Sequence, residues 1–183
     1  MPLPPPAAPR KPIHTRRIEC NGYRRDDGLW DIEGYLVDTK AYPFENAWRG
    51  TVQPGVPVHE MWLRLTLDDG LLVHDVAAAT DNSPFETCPA IVPQFRKLVG
   101  MRIGKGWYGQ VKERLGGVQG CTHLVELALG AMATAAIQTI MPIRAAETPK
   151  SDRKPGHLDT CHALASDGPV VRVHYPEHYT GPA

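Results

Sequence analysis

Hydrophobic and polar positions alternate most clearly over Met61-Trp62-Leu63-Arg64-Leu65-Thr66-Leu67, after which Asp68-Asp69-Gly70 turns the chain and Leu71-Leu72-Val73-His74-Asp75-Val76 returns. Period-two alternation on both sides of an Asp-Gly turn predicts a β-hairpin. Upstream, β-branched and charged residues mix from Ile13 to Cys20, as in an exposed strand. Arg24-Arg25-Asp26-Asp27-Gly28 then turns into Leu29–Lys40, where Asp31, Glu33 and Asp38 interleave with apolar residues. Strands are thus expected near 13–20, 29–39, 58–67 and 71–79. The stretch Tyr42–Pro57, with three prolines and two glycines, reads as a loop.

The period changes beyond Asp81-Asn82-Ser83-Pro84. Pro89–Val99 has a helical pattern that tolerates Pro93 only in a first turn, and Gly100 closes it. Trp107–Leu115 is a second amphipathic segment. Leu115-Gly116-Gly117-Val118-Gln119-Gly120 cannot hold a helix, whereas Leu124 to Ile140 is apolar and free of proline until Pro142. A long helix is therefore expected from about Cys121, with Thr122 as its cap. Strands first and helices after imply an α+β fold, an antiparallel β-meander with helices packed on one face. Residues 1–12 read as a proline-rich arm, 13–141 as one domain and 142–156 as a linker. Residues 157–183 read as a terminal segment, with a short helix or turn over Leu158–Ala165 and a strand over Val170–Tyr175 packing on the domain.

Composition narrows the function classes. Lys plus Arg and Asp plus Glu both total 20 in 183 residues, so a nucleic-acid or anionic-membrane surface is not expected. Proline, at 18 residues, is about twice its usual share. Four unevenly spaced cysteines suggest reduced thiols rather than a disulfide framework. The opening Met1-Pro2-Leu3-Pro4-Pro5-Pro6 lacks the form of a secretory signal, and no run of ~18 apolar residues stands out. A cytoplasmic protein is expected, without nucleic-acid or membrane partners and compatible with a homo-oligomer.

Candidate chemistry centres on Gly120-Cys121-Thr122-His123-Leu124-Val125-Glu126. A thiol at a helix start meets unpaired N–H groups and the positive end of the helix dipole, which favour the thiolate. His123 and Glu126 lie within the first turns. Cys88 also opens a helical segment, and His59 flanks the alternating strand run that begins at Met61. Zinc takes three or four N and S donors at ~2.0–2.3 Å, so His59, Cys88, Cys121 and His123 are the candidate ligands. Glu126, His123 and Cys121 are the candidate catalytic groups. The plainer alternatives are buried cysteines at helix starts, a capping His123 and a surface Glu126. His157, Cys161 and His162 form a second donor group without a metal-binding frame. Arg16, Arg17, Arg24 and Arg25 suit either a substrate anion or cross-strand pairing with Asp31, Glu33 or Asp38. Trp30, Trp48, Trp62 and Trp107 suit core or rim positions, or the walls of a planar-substrate pocket.

Over residues 56–140 the order hairpin, Cys88-Pro89-Ala90-Ile91, Leu98-Val99-Gly100 and Cys121 beside His123 resembles the IscU/NifU-type iron–sulfur scaffold fold. That family's first cysteine has no counterpart near His59-Glu60, and glycines at 116, 117 and 120 replace its chaperone-recognition segment. A second resemblance spans the chain. His14-Thr15-Arg16-Arg17-Ile18-Glu19-Cys20, Gly28-Leu29-Trp30-Asp31-Ile32-Glu33-Gly34, His59-Glu60-Met61-Trp62 and Gly120-Cys121-Thr122-His123-Leu124 resemble an uncharacterised bacterial family of unknown function, number 2889. That resemblance implies an association with the breakdown of aromatic compounds. The favoured reading is an enzyme, a zinc- or thiol-assisted lyase ahead of a hydrolase. It would act on a small aromatic substrate, for instance by C–C cleavage releasing formaldehyde. The alternative is an iron–sulfur cluster scaffold or sulfur-relay protein using Cys88 and Cys121.

Overall fold

Alternation in the strands sets the architecture. In the computed structural model, which describes residues 3–147 and 154–182, the strands are β1 His14–Arg24, β2 Trp30–Lys40, β3 Phe44–Asn46, β4 Gly50–Val52, β5 Pro57–Leu67 and β6 Val73–Asn82. Four of them form an antiparallel sheet in the order β1-β2-β5-β6, and β3 and β4 pair as a small separate hairpin. Every second residue of β2 (Trp30, Ile32, Gly34, Leu36, Asp38) is buried, and β5 buries Met61, Leu63, Leu65 and Leu67. These stripes form the sheet's inner face.

The inner face is covered by one continuous helical run, Thr122–Glu147. It comprises α2 Thr122–Glu126, a π-helical turn Leu127–Ala131, and α3 Met132–Glu147. Leu124, Leu127, Ala128, Met132, Ala136 and Ile140 are buried in the same core as the strand stripes. Gly34 permits the close approach: a β-carbon there would sit 2.6 Å from Met132 Sδ. A 3-10 helix, Cys88–Leu98, and α1, Trp107–Leu115, complete the layer, burying Phe95, Leu98, Trp107, Val111 and Leu115. The fold is therefore α+β with an antiparallel sheet, as the order of elements predicts.

Several local expectations are corrected. The loop expected over Tyr42–Pro57 contains the β3–β4 hairpin. The segment expected as an α-helix over Pro89–Val99 coils instead as a 3-10 helix, with Pro93 inside it, where the ring crowds the carbonyl of the preceding turn. Cys121, not Thr122, occupies the N-cap position of α2, and it makes no side-chain capping bond. Pro142 does not end the last helix. It lies on the exposed side, where water can take up the carbonyl that its missing N–H leaves unpaired, and α3 continues to Glu147. Part of the expected linker is thus helical, and its residues 148–153 lie outside the described residues. The long helix has 26 residues with a window of mean hydropathy 1.6, long and apolar enough by length and composition to cross a bilayer, and its buried residues belong to the core over the sheet.

The chain divides into two units, residues 1–146 and 147–183. In the second, Val170–Tyr175 is not a strand: Pro169–His174 forms α4, with Gly168 as N-cap and Pro169 in its first turn. Branched residues there favour extension, but a strand needs a partner edge, whereas Pro169 is preorganised for a helix start. Asp159 braces this unit, accepting from the Ser166 backbone N–H and hydroxyl, both at 2.7 Å, and from Lys154.

Candidate metal centre

The sheet register assembles a polar row where the inner apolar stripe ends. Arg16 on β1 faces Asp38 on β2, and Asp38 faces His59 on β5. Asp38 continues the Trp30-Ile32-Gly34-Leu36 stripe, so its carboxylate points inward and is 2% exposed. A carboxylate so buried needs charge and hydrogen-bond partners. Arg16 grips it as a fork, with Nε to Oδ1 and Nη2 to Oδ2 both 2.8 Å. His14 Nε2 lies 3.2 Å from Oδ1, and His59 Nδ1 lies 3.1 Å from Oδ2. The covering helix adds His123 from its first turn, with Nε2 at 3.6 Å from the same Oδ2. The His59 and His123 rings lie 3.8 Å apart, tilted by 30°.

The electrostatics keep this group ready to donate lone pairs. Burial alone would raise the Asp38 pKa, but the Arg16 fork and the neighbouring imidazoles outweigh it, so the carboxyl titrates below its usual range. Burial, then the nearby His123, lowers His59 to about 4 despite the attraction of Asp38. Burial and the Arg16 charge lower His123 against the pull of Asp38 and Glu126. At neutral pH the site thus holds one carboxylate and two uncharged imidazoles.

Asp38, His59 and His123 each offer one ligand atom, and these atoms lie within 4.8 Å of one another. Bonds of ~2.0–2.2 Å place adjacent ligand atoms roughly 3.0–3.4 Å apart, close to the spacing Asp38 Oδ2 keeps from both imidazoles. Two nitrogens and one oxygen suit a divalent ion such as zinc, and leave coordination positions free. Arg16 and His14 would then be the outer partners that orient the carboxylate.

Of the residues singled out in the sequence, His59 and His123 meet in this group. Cys121 stands beside it: its Sγ is 3.9 Å from His123 Nδ1 and 3.8 Å from Met61 Sδ. Glu126 is tied to the cluster through an ion pair with Arg16 Nη1 and is otherwise half-exposed. Cys88 opens the 3-10 helix after β6. Neither Cys88 nor Cys121 belongs to the three-residue donor group, the one such group among the described residues. His157 instead contacts the Tyr175 hydroxyl at 3.1 Å, and Cys161 is exposed. Asp38 is the member of the group that the sequence pattern suggests only for cross-strand pairing. Its signal was the polar residue ending an inward stripe. Of the arginines, Arg16 does pair across strands with Asp38, and Arg25 pairs with Asp27 and Asp31.

The π turn at Leu127–Ala131 follows Glu126 directly. One such turn offsets the helix face on either side, so His123 can address the sheet while the later turns keep their apolar side on the core. Beside Glu126 runs an open groove of about 700 Å³, lined by Tyr108, Lys112, Leu115, Val125, Glu126 and Leu129 among others.

A family described as "Protein of unknown function (DUF2889)" matches residues 14–138, a span that starts at His14 and includes every residue of the donor group. No curated protein and no solved structure matches the chain. The iron–sulfur scaffold likeness is not shown by these comparisons.

Proposed function

The chain belongs to the DUF2889 family of proteins of unknown function, and we propose that it is a metal-dependent lyase acting on a small aromatic molecule. The observation that carries this reading is the convergence of Asp38, His59 and His123 at the buried end of the sheet. Zinc is the ion proposed. Bound there, it would supply Lewis acidity toward a substrate oxygen. Asp38, His59 and His123 would hold it, and the Arg16 fork fixes the carboxylate so that its oxygens keep their positions.

Glu126 is the proposed proton carrier, because it lines the groove and is held by Arg16. The tyrosine and aliphatic walls of that groove suit a planar ring. For a substrate bearing a hydroxymethyl group, the Glu126 carboxylate takes the hydroxyl proton. The C–C bond breaks, formaldehyde leaves, and the electron pair left on carbon takes the same proton back. Such a proton transfer by a positioned carboxylate contributes roughly 10²–10⁴-fold to a rate.

A second reading is favoured by one alignment. Cys121 Sγ, His123 and Asp38 stand in the order thiol, imidazole, carboxylate, with gaps of 3.9 Å and 3.6 Å. That is the sequence of groups used by thiol nucleophiles. The alternative of a cluster or sulfur relay on Cys88 and Cys121 would use two cysteines that lie outside the three-residue donor group.

Elemental analysis of the purified chain, with formaldehyde release measured on hydroxymethylated phenols, tests the proposal. One zinc per chain and chelator-sensitive formaldehyde release are expected. A chain that binds no divalent ion, or that releases formaldehyde equally well in chelator, would overturn the metal reading.

A further inference from the structure

The sheet has one edge that is blunted and one that is not. The β6 edge carries register shifts at both ends of its pairing with β5. Its start is also covered by residues 100–103, with Val73 N–H donating to Met101 O at 2.8 Å and Gly100 N–H to Val73 O at 2.8 Å. These are devices that keep an edge from pairing further. β1 has none of them. Its 11 residues run in unbroken register beside β2, exposed throughout except for half-buried Cys20.

The backbone parity of β1 can be read from the two ends of the ladder. Ala41 N–H donates to Ile13 O at 3.0 Å, and Arg25 N–H donates to Leu29 O at 2.9 Å. Both pairs continue the β1–β2 register. Odd-numbered residues therefore exchange their backbone bonds with β2. Among the even-numbered ones, His14, Arg16, Ile18, Cys20 and Gly22 turn N–H and C=O away from the sheet. This is an open, regular row of donors and acceptors.

We propose that the chain forms a two-fold homodimer by antiparallel pairing of β1 with β1 of a second copy, with Ile18 on the axis. Charge selects this register. With Ile18 opposite Ile18, Arg17 faces Glu19 of the second copy, and the pair occurs twice. A two-fold axis at Arg17 or Glu19 would set like charges face to face, and one at Arg16 or Cys20 would leave Arg17 and Glu19 of the two copies unopposed. Outward-turned residues 14, 16, 18, 20 and 22 then pair with 22, 20, 18, 16 and 14 of the second copy, forming about ten backbone hydrogen bonds. Arg17 and Glu19 fall at positions between those bonded pairs, where opposed side chains approach most closely. Neither makes an ion pair among the described residues; Glu19 accepts only from Asn21 Nδ2, at 2.9 Å. Ile18, 39% exposed on an otherwise polar edge, is the apolar contact at the centre. The dimer is a continuous sheet of eight strands and does not depend on the metal centre.

Sedimentation velocity and light scattering on the full chain test this. The natural chain is expected to be dimeric. Arg17→Glu and Glu19→Arg should each raise the dissociation constant by at least about tenfold, by setting like charges opposite. The double variant Arg17→Glu/Glu19→Arg should restore it, since the exchange rebuilds both pairs with reversed sign. Ile18→Pro removes an N–H that β2 does not use, so it should give a monomer with an unchanged circular dichroism spectrum. If that variant unfolds, the charge exchange alone decides. A monomeric natural chain, or a dimer whose affinity is indifferent to charge reversal, would overturn the proposal.

Discussion

Arg16 and Asp38 face each other directly across β1 and β2, and the guanidinium closes both carboxylate oxygens at 2.8 Å. The two sides of this pair are unequally buried, Arg16 at 31% side-chain exposure and Asp38 at 3%. Arg16→Leu leaves a buried carboxylate without its counter-charge and should cost about 3 kcal/mol in the metal-free protein. Asp38→Asn should cost less, because the arginine can turn toward water. Urea midpoints in chelator at constant slope measure the difference. A milder effect for Arg16→Leu than for Asp38→Asn would contradict this account of the pair.

Metal retention should follow the donor set. Asp38→Asn, His59→Asn and His123→Asn are each expected to lose the ion, whereas Arg16→Lys should weaken its binding by roughly 10–100-fold, as removal of an outer partner does. Zinc affinity measured by competition with a chromogenic chelator provides the comparison. Retention of full affinity in His59→Asn would exclude this site.

Cys121→Ser separates the two chemical readings. The thiol is not one of the three donors, so the variant should keep its zinc and a substantial part of its activity. Complete loss of turnover with zinc retained would transfer the chemistry to the Cys121–His123–Asp38 alignment.

Glu126→Gln should also keep the metal, since Glu126 reaches the cluster only through Arg16. The rate should fall by roughly 10²–10⁴-fold with little change in substrate binding. An unchanged kcat would remove Glu126 from proton transfer.

The metal-free protein should lose stability in mild acid. His59 titrates at about 4 when folded, against 6.5 for an unperturbed histidine, chiefly because it is buried and then because His123 is near. Between those values the unfolded chain binds a proton that the native chain refuses, so stability rises with pH across the window. The contribution is full above about 6.5 and lost progressively as the pH falls toward 4. His123 shifts in the same direction. Urea midpoints recorded across this window should slope upward, and His59→Asn should flatten the slope. An equal slope in both proteins would show that His59 is not held neutral.

What the sequence determined by itself was the elements and their layering. Period-two alternation in Leu29–Lys40 and Met61–Leu67, and the apolar run after Gly120, each specify an element and the face it buries, because those patterns follow from backbone geometry alone. The strand near 13–20 extends to Arg24, and Trp107–Leu115 is helical over the residues expected. Where local preference was ambiguous, tertiary context decided. Pro142 sits inside a helix because its outer side is wet. Val170–His174 coils because Pro169 starts a helix, and among the described residues no strand pairs with it. The site was half legible. His59 and His123 stood out as donors, but nothing in a linear chain says that Asp38, rather than Cys88, lies beside them. That choice belongs to the register, which sets residues 16, 38 and 59 side by side across three strands, and to the helix that lowers His123 onto them. A one-residue slip in any strand would turn its member of the row to the opposite face, so the donor set exists only once the sheet has paired.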